Sequence, residues 1–242
     1  SEEDTPEYDW DNLNLYEAYT EEDILRTIAT VRKVAQGNLL ACDIETRRIE
    51  WEDNKLLSLG FATDIDTCYA IYNIPVIGAN GEGHSTAIWE ALEGLLGDEN
   101  ITFIWHNGKF DCGRLKYLCN LDARIDEDTM LKHYCAINEK RGTHGLKDLG
   151  QMYLQAPAWE DELDRIKKDY CKANKMRLGD FMYDDIPTSV LIPYMQRDCI
   201  ATMRLYHVFN KLGRPEAEFI YRKLIEASNV YMRVELAGVR LD

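Results

Sequence analysis

The chain has 242 residues, and its 28 Lys and Arg against 43 Asp and Glu give a net charge of −15. That length closes one large core, or a domain with an appendage, while the acidic balance excludes a broad basic face for nucleic acid, so any contact with DNA or RNA has to be local. No apolar run approaches the roughly 20 residues of a membrane span, and the N-terminus SEEDTPEYDWDN is acidic where a signal peptide is basic and then apolar, so a globular intracellular protein is expected.

In chain order, the acidic start predicts a poorly ordered segment up to about Tyr16, and TEEDILRTIATVRK then combines a capping-box pattern at Thr20 to Asp23 with helical spacing. Three strand-like runs follow, Leu39 to Thr46, Leu56 to Thr63 and Thr67 to Ile74, separated by polar turns that suit an antiparallel meander. From Ser85 the pattern alternates instead: a helix to Gly97, the strand ITFIWHN, the helix GKFDCGRLKYLCN and a short strand ARIDEDT. Everything after about Thr129 reads as helical. The order predicts a mixed five-stranded sheet flanked by helices, an α/β fold with a helical C-terminal portion.

Seven scattered cysteines, with no C-x-x-C pair, argue against a disulfide framework or a zinc site. The sequon at Asn100 opens a strand with no secretory context and reads as chance. The densest basic run, Arg165 to Arg177, suits a solvated helix face better than a phosphate track.

Three acidic positions conflict with burial. In LLACDIET, alternation puts Asp43 and Glu45 on the face of Leu39 and Ala41, roughly 6 to 7 Å apart, where they repel unless a cation lies between them. A bare D-x-E is also what a strand end emerging into water looks like. In the helix after Asn107, Asp111 falls on the stripe of Leu115 and Leu118, although an Asp paired with Arg114 explains it as well. In LIPYMQRDCIATMRLYHVF, Asp198 falls inside the apolar stripe one turn after Tyr194, where a Tyr-Asp hydrogen bond is the alternative. Together the three are harder to dismiss, because buried carboxylates need pairing or metal and basic partners look too few. Hard oxygen donors without Cys or His clusters suit Mg²⁺, with Mn²⁺ as a substitute, and four carboxylates suit two ions clamping a phosphodiester.

On these residues the sequence resembles the tyrosine branch of the DEDD-type 3′-5′ exonucleases, the proofreading domain of bacterial and phage family A DNA polymerases. DIET (Asp43, Glu45), NGKFD (Asn107, Asp111) and YMQRD (Tyr194, Asp198) are similar to its three motifs, in order, over about Leu39 to Leu212. The resemblance implies an RNase H-like fold with the D-x-E strand central. It also implies one divalent ion on Asp43, Glu45 and Asp198, a second bridged by Asp43 and reached by Asp111 largely through water, and a water oriented by Tyr194. Thr46, Ile49 and Asn107 would touch the terminal nucleotides, Ile49 as a wedge against a base.

It further implies three parts: residues 1–36 as an acidic segment with the first helix, 37–212 as the exonuclease domain, and 213–242 as a helix leading to a polymerase domain, since ELAGVRLD is similar to where that part begins. Aromatic residues of the N-terminus such as Tyr8 and Trp10 would be free to dock elsewhere on such a parent. The expected setting is a monomer in the cytoplasm of a bacterium or phage-infected cell, acting on single-stranded or frayed DNA 3′ ends. The competing readings are a stand-alone RNA 3′ exonuclease and an inactive binding module.

Overall fold

The computed structural model describes residues 7–72 and 86–238. The ends of the expected strand at Ile74 and helix at Ser85, and the last four residues of ELAGVRLD, lie outside them. The sheet is built from β1 (Asn14–Ala18), β2 (Leu39–Thr46), β3 (Leu56–Ala62), β4 (Thr67–Tyr72), β5 (Thr102–Trp105) and β6 (Glu127–Asp128), in the order β1-β4-β3-β2-β5-β6. β2, β3 and β4 form the expected antiparallel meander, and β5 and β6 add in parallel beyond β2.

Among the described residues six strands stand where five were expected. The addition is β1, parallel to β4, whose first three residues fall in the segment expected to be poorly ordered up to about Tyr16. Only Ala18 of its five residues is buried, so it carries no apolar alternation to read. Its ladder to β4 is reinforced by the buried Gln196, whose Nε2 donates to the Tyr16 carbonyl at 3.0 Å, and by the Tyr16 ring stacked on Tyr69 at 4.9 Å. After it, the Thr20 hydroxyl accepts from the Asp23 N–H and starts α1 (Glu21–Val34) at the expected cap.

One sheet face is covered by α1, α2 (Thr86–Leu96), α3 (Gly108–Cys119) and α8 (Glu218–Ala237), which bury Ile28, Trp89, Leu115 and Tyr221 against Leu40, Cys42 and Ile44 of β2. The other face carries α5 (Leu146–Leu154) and α7 (Thr188–Leu212), packed as Leu149, Ile200 and Leu205 over Ala41 and Ile104. Side-chain alternation therefore aims Asp43 and Glu45 at α7. α7 comes close because Gly60 of β3 lies opposite Asp43, and a Cβ there would stand 2.5 Å from the Cys199 Sγ. That missing side chain brings Asp198 within reach of β2.

α4 (Thr129–Ala136) joins the sheet edge to this layer, while α6 (Asp161–Ala173) buries only Leu163 and Cys171. The basic run is a solvated face: Lys168 pairs with Asp164 at 3.4 Å and Arg177 with Asp180 at 3.0 Å. All seven cysteines are free thiols, and Cys42, Cys112 and Cys199, each buried, directly adjoin Asp43, Asp111 and Asp198 in sequence. Among the described residues, no helix is long and apolar enough to cross a membrane.

Candidate active site

β2 pairs with β5 only from Leu39 to Ala41, so beyond that point its edge is open and its N–H groups need other partners. The Ile44 N–H finds one in Asp111 Oδ1 at 3.2 Å, which ties α3 to the strand that carries the two acids. On the β3 side the register shifts between Glu45 and Thr46, ending regular pairing just past the acids.

Asp43, Glu45 and Asp198 each present a carboxylate oxygen within 4.8 Å of the others. They stand in a cleft of about 650 Å³ that Asp111, Asn107 and Tyr194 also line, with Phe110 and Met130 as apolar wall. Asp111 and Asp198 are buried, and Asp43 and Glu45 are partly open to the cleft. Two substrate residues expected from the sequence stand elsewhere. Thr46 is buried outside the cleft lining and its hydroxyl donates to the Arg48 carbonyl at 2.8 Å. Ile49 is 69% exposed on the 47–54 loop, also outside the lining, with its carbonyl held by Arg114. Asn107 is exposed on the rim, in left-handed backbone at φ 63°.

The alternative pairings suggested by the sequence do not form. The Arg114 guanidinium lies 3.6 Å from the Trp51 ring centroid and 4.1 Å from that of Phe110 instead of pairing with Asp111. Asp198 accepts hydrogen bonds from groups other than Tyr194: Trp159 Nε1 donates to its Oδ1 at 2.6 Å, and the Lys147 ammonium pairs with the same oxygen. Lys147 also stands 4.2 Å from the centroid of the Tyr194 ring. The expectation that basic partners are too few thus fails at one position, because Lys147 is a partner 51 residues distant in sequence. Neither Lys147 nor Trp159 announces itself: one is a lysine at the start of an amphipathic helix, the other an aromatic in a Pro-containing turn.

One lysine does not neutralise four carboxylates. Burial first, then repulsion from Asp111, Asp198 and Glu45, pushes Asp43 well above the usual carboxylate range. Burial followed by Asp198 does the same to Glu45, and Lys147 opposes both shifts. Asp111 is pushed up to about 8 by burial against the pull of the Ile44 N–H. Burial, then Asp198 and Glu45, raises Tyr194 too, so its phenol stays protonated at neutral pH. Anionic oxygen donors drawn from three elements, crowded enough to hold protons of their own, fit hard divalent cations.

Without metal, an acid whose folded pKa is raised stabilises the protein fully below its unfolded pKa, and that stability is lost as pH rises through the folded value. For Asp111 the loss runs from about pH 4 to about pH 8. His106 and His133, held by burial at about 3 and about 4, act in the opposite sense below about pH 6.5. In chelator, the unfolding midpoint of the wild type should therefore drop by about 5 °C between pH 6.5 and 8, and Asp111→Asn should flatten that slope. Equal slopes for the two proteins, measured by calorimetry, would remove Asp111 from the set of charge-strained acids.

The family described as 3′-5′ exonuclease matches residues 16–214. The DNA polymerase of Escherichia phage T5 is 40% identical over 160 residues, which cover 62% of this chain and 19% of that protein. The chain spans less than a fifth of the length of the curated relatives it matches. Among solved structures, Brucella melitensis NrnC with bound Mg²⁺ superposes with a TM-score of 0.58 at 15% identity, over 96% of this chain and 98% of its own. Escherichia coli RNase D, an exoribonuclease involved in structured RNA processing, superposes with a TM-score of 0.61 at 15% identity, over 94% and 52%. These likenesses establish the RNase H-like exonuclease fold.

Proposed function

The chain belongs to the 3′-5′ exonuclease family associated with family A DNA polymerases, and from that membership we propose that it hydrolyses DNA 3′ ends to nucleoside 5′-monophosphates with two divalent cations. The observation that carries the reading is the approach of Asp43, Glu45 and Asp198 to within 4.8 Å in a cleft that Asp111 and Tyr194 complete. Asp43, Glu45 and Asp198 would hold one ion, and Asp43 with Asp111 a second. Mg²⁺ is expected, and Mn²⁺ should substitute. When bound, such ions supply Lewis acidity and positive charge at the scissile phosphate.

The protein's own groups supply position. Water attacks phosphorus and gives up a proton to solvent, the 3′ oxygen of the next nucleotide leaves with the electron pair of the broken P–O bond and takes up a proton from solvent, and no covalent enzyme intermediate is needed. Tyr194, protonated and beside the cluster, orients the water as a hydrogen-bonding phenol rather than as a base. Lys147 and Trp159 fix Asp198. Asn107 and Phe110 offer polar and stacking contacts to the terminal nucleotides, and Ile49 would act from the rim as an apolar wedge.

The relatives' identity as DNA polymerases extends the proposal to a parent: residues 37–212 as its proofreading exonuclease, preceded by 1–36 and followed by 213–242 leading into a polymerase domain. In that setting the protein acts as a monomer in the cytoplasm. The decisive assay uses DNA and RNA strands of one sequence, labelled at either end, with Mg²⁺ or chelator. Mononucleotides released from DNA 3′ ends only with Mg²⁺ support the reading, and faster hydrolysis of RNA would favour the RNA exonuclease. Tyr194→Phe, which keeps the ring and removes one hydrogen bond, should slow single-turnover cleavage on the order of tenfold to a thousandfold with Mn²⁺ affinity unchanged. An unaltered rate would leave the tyrosine a structural part only.

A further inference from the structure

The acidic N-terminus lies outside the matched family region, which begins at residue 16. Its described part is nevertheless built into the molecule. Arg204 of α7, fully buried, holds it: Nη2 donates to the Asp9 carbonyl at 2.8 Å, and the guanidinium lies 4.7 Å from the Tyr8 ring centroid and 4.3 Å from that of Trp10. The same arginine is fixed from the β3–β4 turn, with Nε donating to the Ile65 carbonyl at 2.7 Å and Nη2 paired with Asp66 at 2.6 Å. Asp9 closes the turn locally by accepting from the Asp11 and Asn12 N–H groups.

From this anchor Trp10 reaches towards the active site. It is 8% exposed, its Nε1 donates to the Leu154 carbonyl at 3.3 Å, and its ring stacks on Trp159 with centroids 5.5 Å apart and planes inclined by 17°. The edge of the Trp159 indole packs against Gly150 of α5, where a Cβ would stand 2.9 Å from it. The Nε1 of that clamped ring is the donor to Asp198 Oδ1. A carboxylate on a helix turns about two side-chain bonds. A metal site needs it in one orientation, and hydrogen bonds from outside the ligand set are what impose it.

We propose that the N-terminal strap around Trp10 is a positioning element of the active site: Trp10 clamps Trp159, and Trp159 fixes the Asp198 carboxylate for divalent-cation binding. The inference rests on the exonuclease reading of the carboxylate cluster. It gives residues 8–12 a task within this domain, where the sequence suggested docking elsewhere.

The test is Mn²⁺ binding by titration calorimetry on the whole chain, with circular dichroism and DNA cleavage measured on the same samples. Trp10→Leu keeps apolar bulk and removes the stack, and should weaken Mn²⁺ binding about tenfold, the lower end of what losing such an outer support costs. Trp10→Phe restores a stacking ring and should recover most of that loss. Trp159→Phe removes the donor, keeps an aromatic ring for Trp10 to stack on, and should lose about the same tenfold with the strap in place. Combining it with Trp10→Leu should add little further, because both act through one hydrogen bond. Unchanged affinity in Trp10→Leu, additive losses in the double variant, or a Trp10→Leu protein unfolded at the assay temperature would each overturn the proposal while leaving the exonuclease reading intact. A wild type that neither binds Mn²⁺ nor cleaves DNA would overturn both.

Discussion

Asp43→Ala and Asp198→Ala should each slow release of the 3′-terminal nucleotide by at least about 10³-fold under single-turnover conditions, because each removes a carboxylate from the only three-oxygen cluster among the described residues. The two variants should part company in stability without metal. Asp43 is repelled by Asp111, Asp198 and Glu45, so its removal relieves strain and should raise the unfolding midpoint. Asp198 is repelled too, but it accepts from Trp159 and pairs with Lys147, whose side chain is 22% exposed. Asp198→Ala leaves an N–H without acceptor and a half-buried ammonium without partner, so its midpoint should gain less or fall. Rapid-quench kinetics and calorimetry in chelator read both effects. Full cleavage by the double variant would mean that the cluster is not the catalytic centre.

A single-stranded or mispaired 3′ end should be cut about 10²-fold faster than the end of a blunt duplex. On the proofreading reading the terminal nucleotides leave the duplex to reach the acids, which line the cleft together with Asn107 and Tyr194. Stacking averages about 1.4 kcal/mol per step, and opening two or three steps costs roughly 3 to 4 kcal/mol, part of which a mismatch has already lost. A net charge of −15 offers no general attraction to offset that, and within the basic run of residues 165–177 Lys168 and Arg177 are paired with Asp164 and Asp180. The contacts available in the cleft lining are local ones at Asn107 and Phe110, with Ile49 exposed on the 47–54 loop, and salt should change the rates little. Initial rates on the three substrates at one ionic strength decide it, and equal rates would remove proofreading as the task.

What the sequence carried here was periodicity. Parity alone put Asp43 and Glu45 on the face of Ala41, and helical spacing put Asp198 on the buried stripe of its helix, because both signals repeat within a single element. β1 was illegible for the converse reason: an edge strand with one buried residue is specified by its neighbours, through Gln196 and the β4 ladder. Lys147 and Trp159 meet Asp198 from 51 and 39 residues away, a closeness that no local pattern encodes. The hydrogen bond of the Thr46 hydroxyl to the Arg48 carbonyl was equally invisible in the sequence, because it depends on the chain leaving its strand at a register shift, where a side chain can satisfy its own backbone two residues on.

The placement of Cys42, Cys112 and Cys199 beside Asp43, Asp111 and Asp198 gives the protein a built-in record of its own breathing. Burial above all pushes these thiols well above their ordinary pKa, so in the closed state they are neither ionised nor reachable by an alkylating reagent. Each lies on a different element: β2, α3 or α7. Labelling of any one then requires that element to open, and its rate reports the free energy of that opening, with global unfolding as its upper bound. The three elements that have to agree for the carboxylates to meet can thus be timed separately in the native molecule.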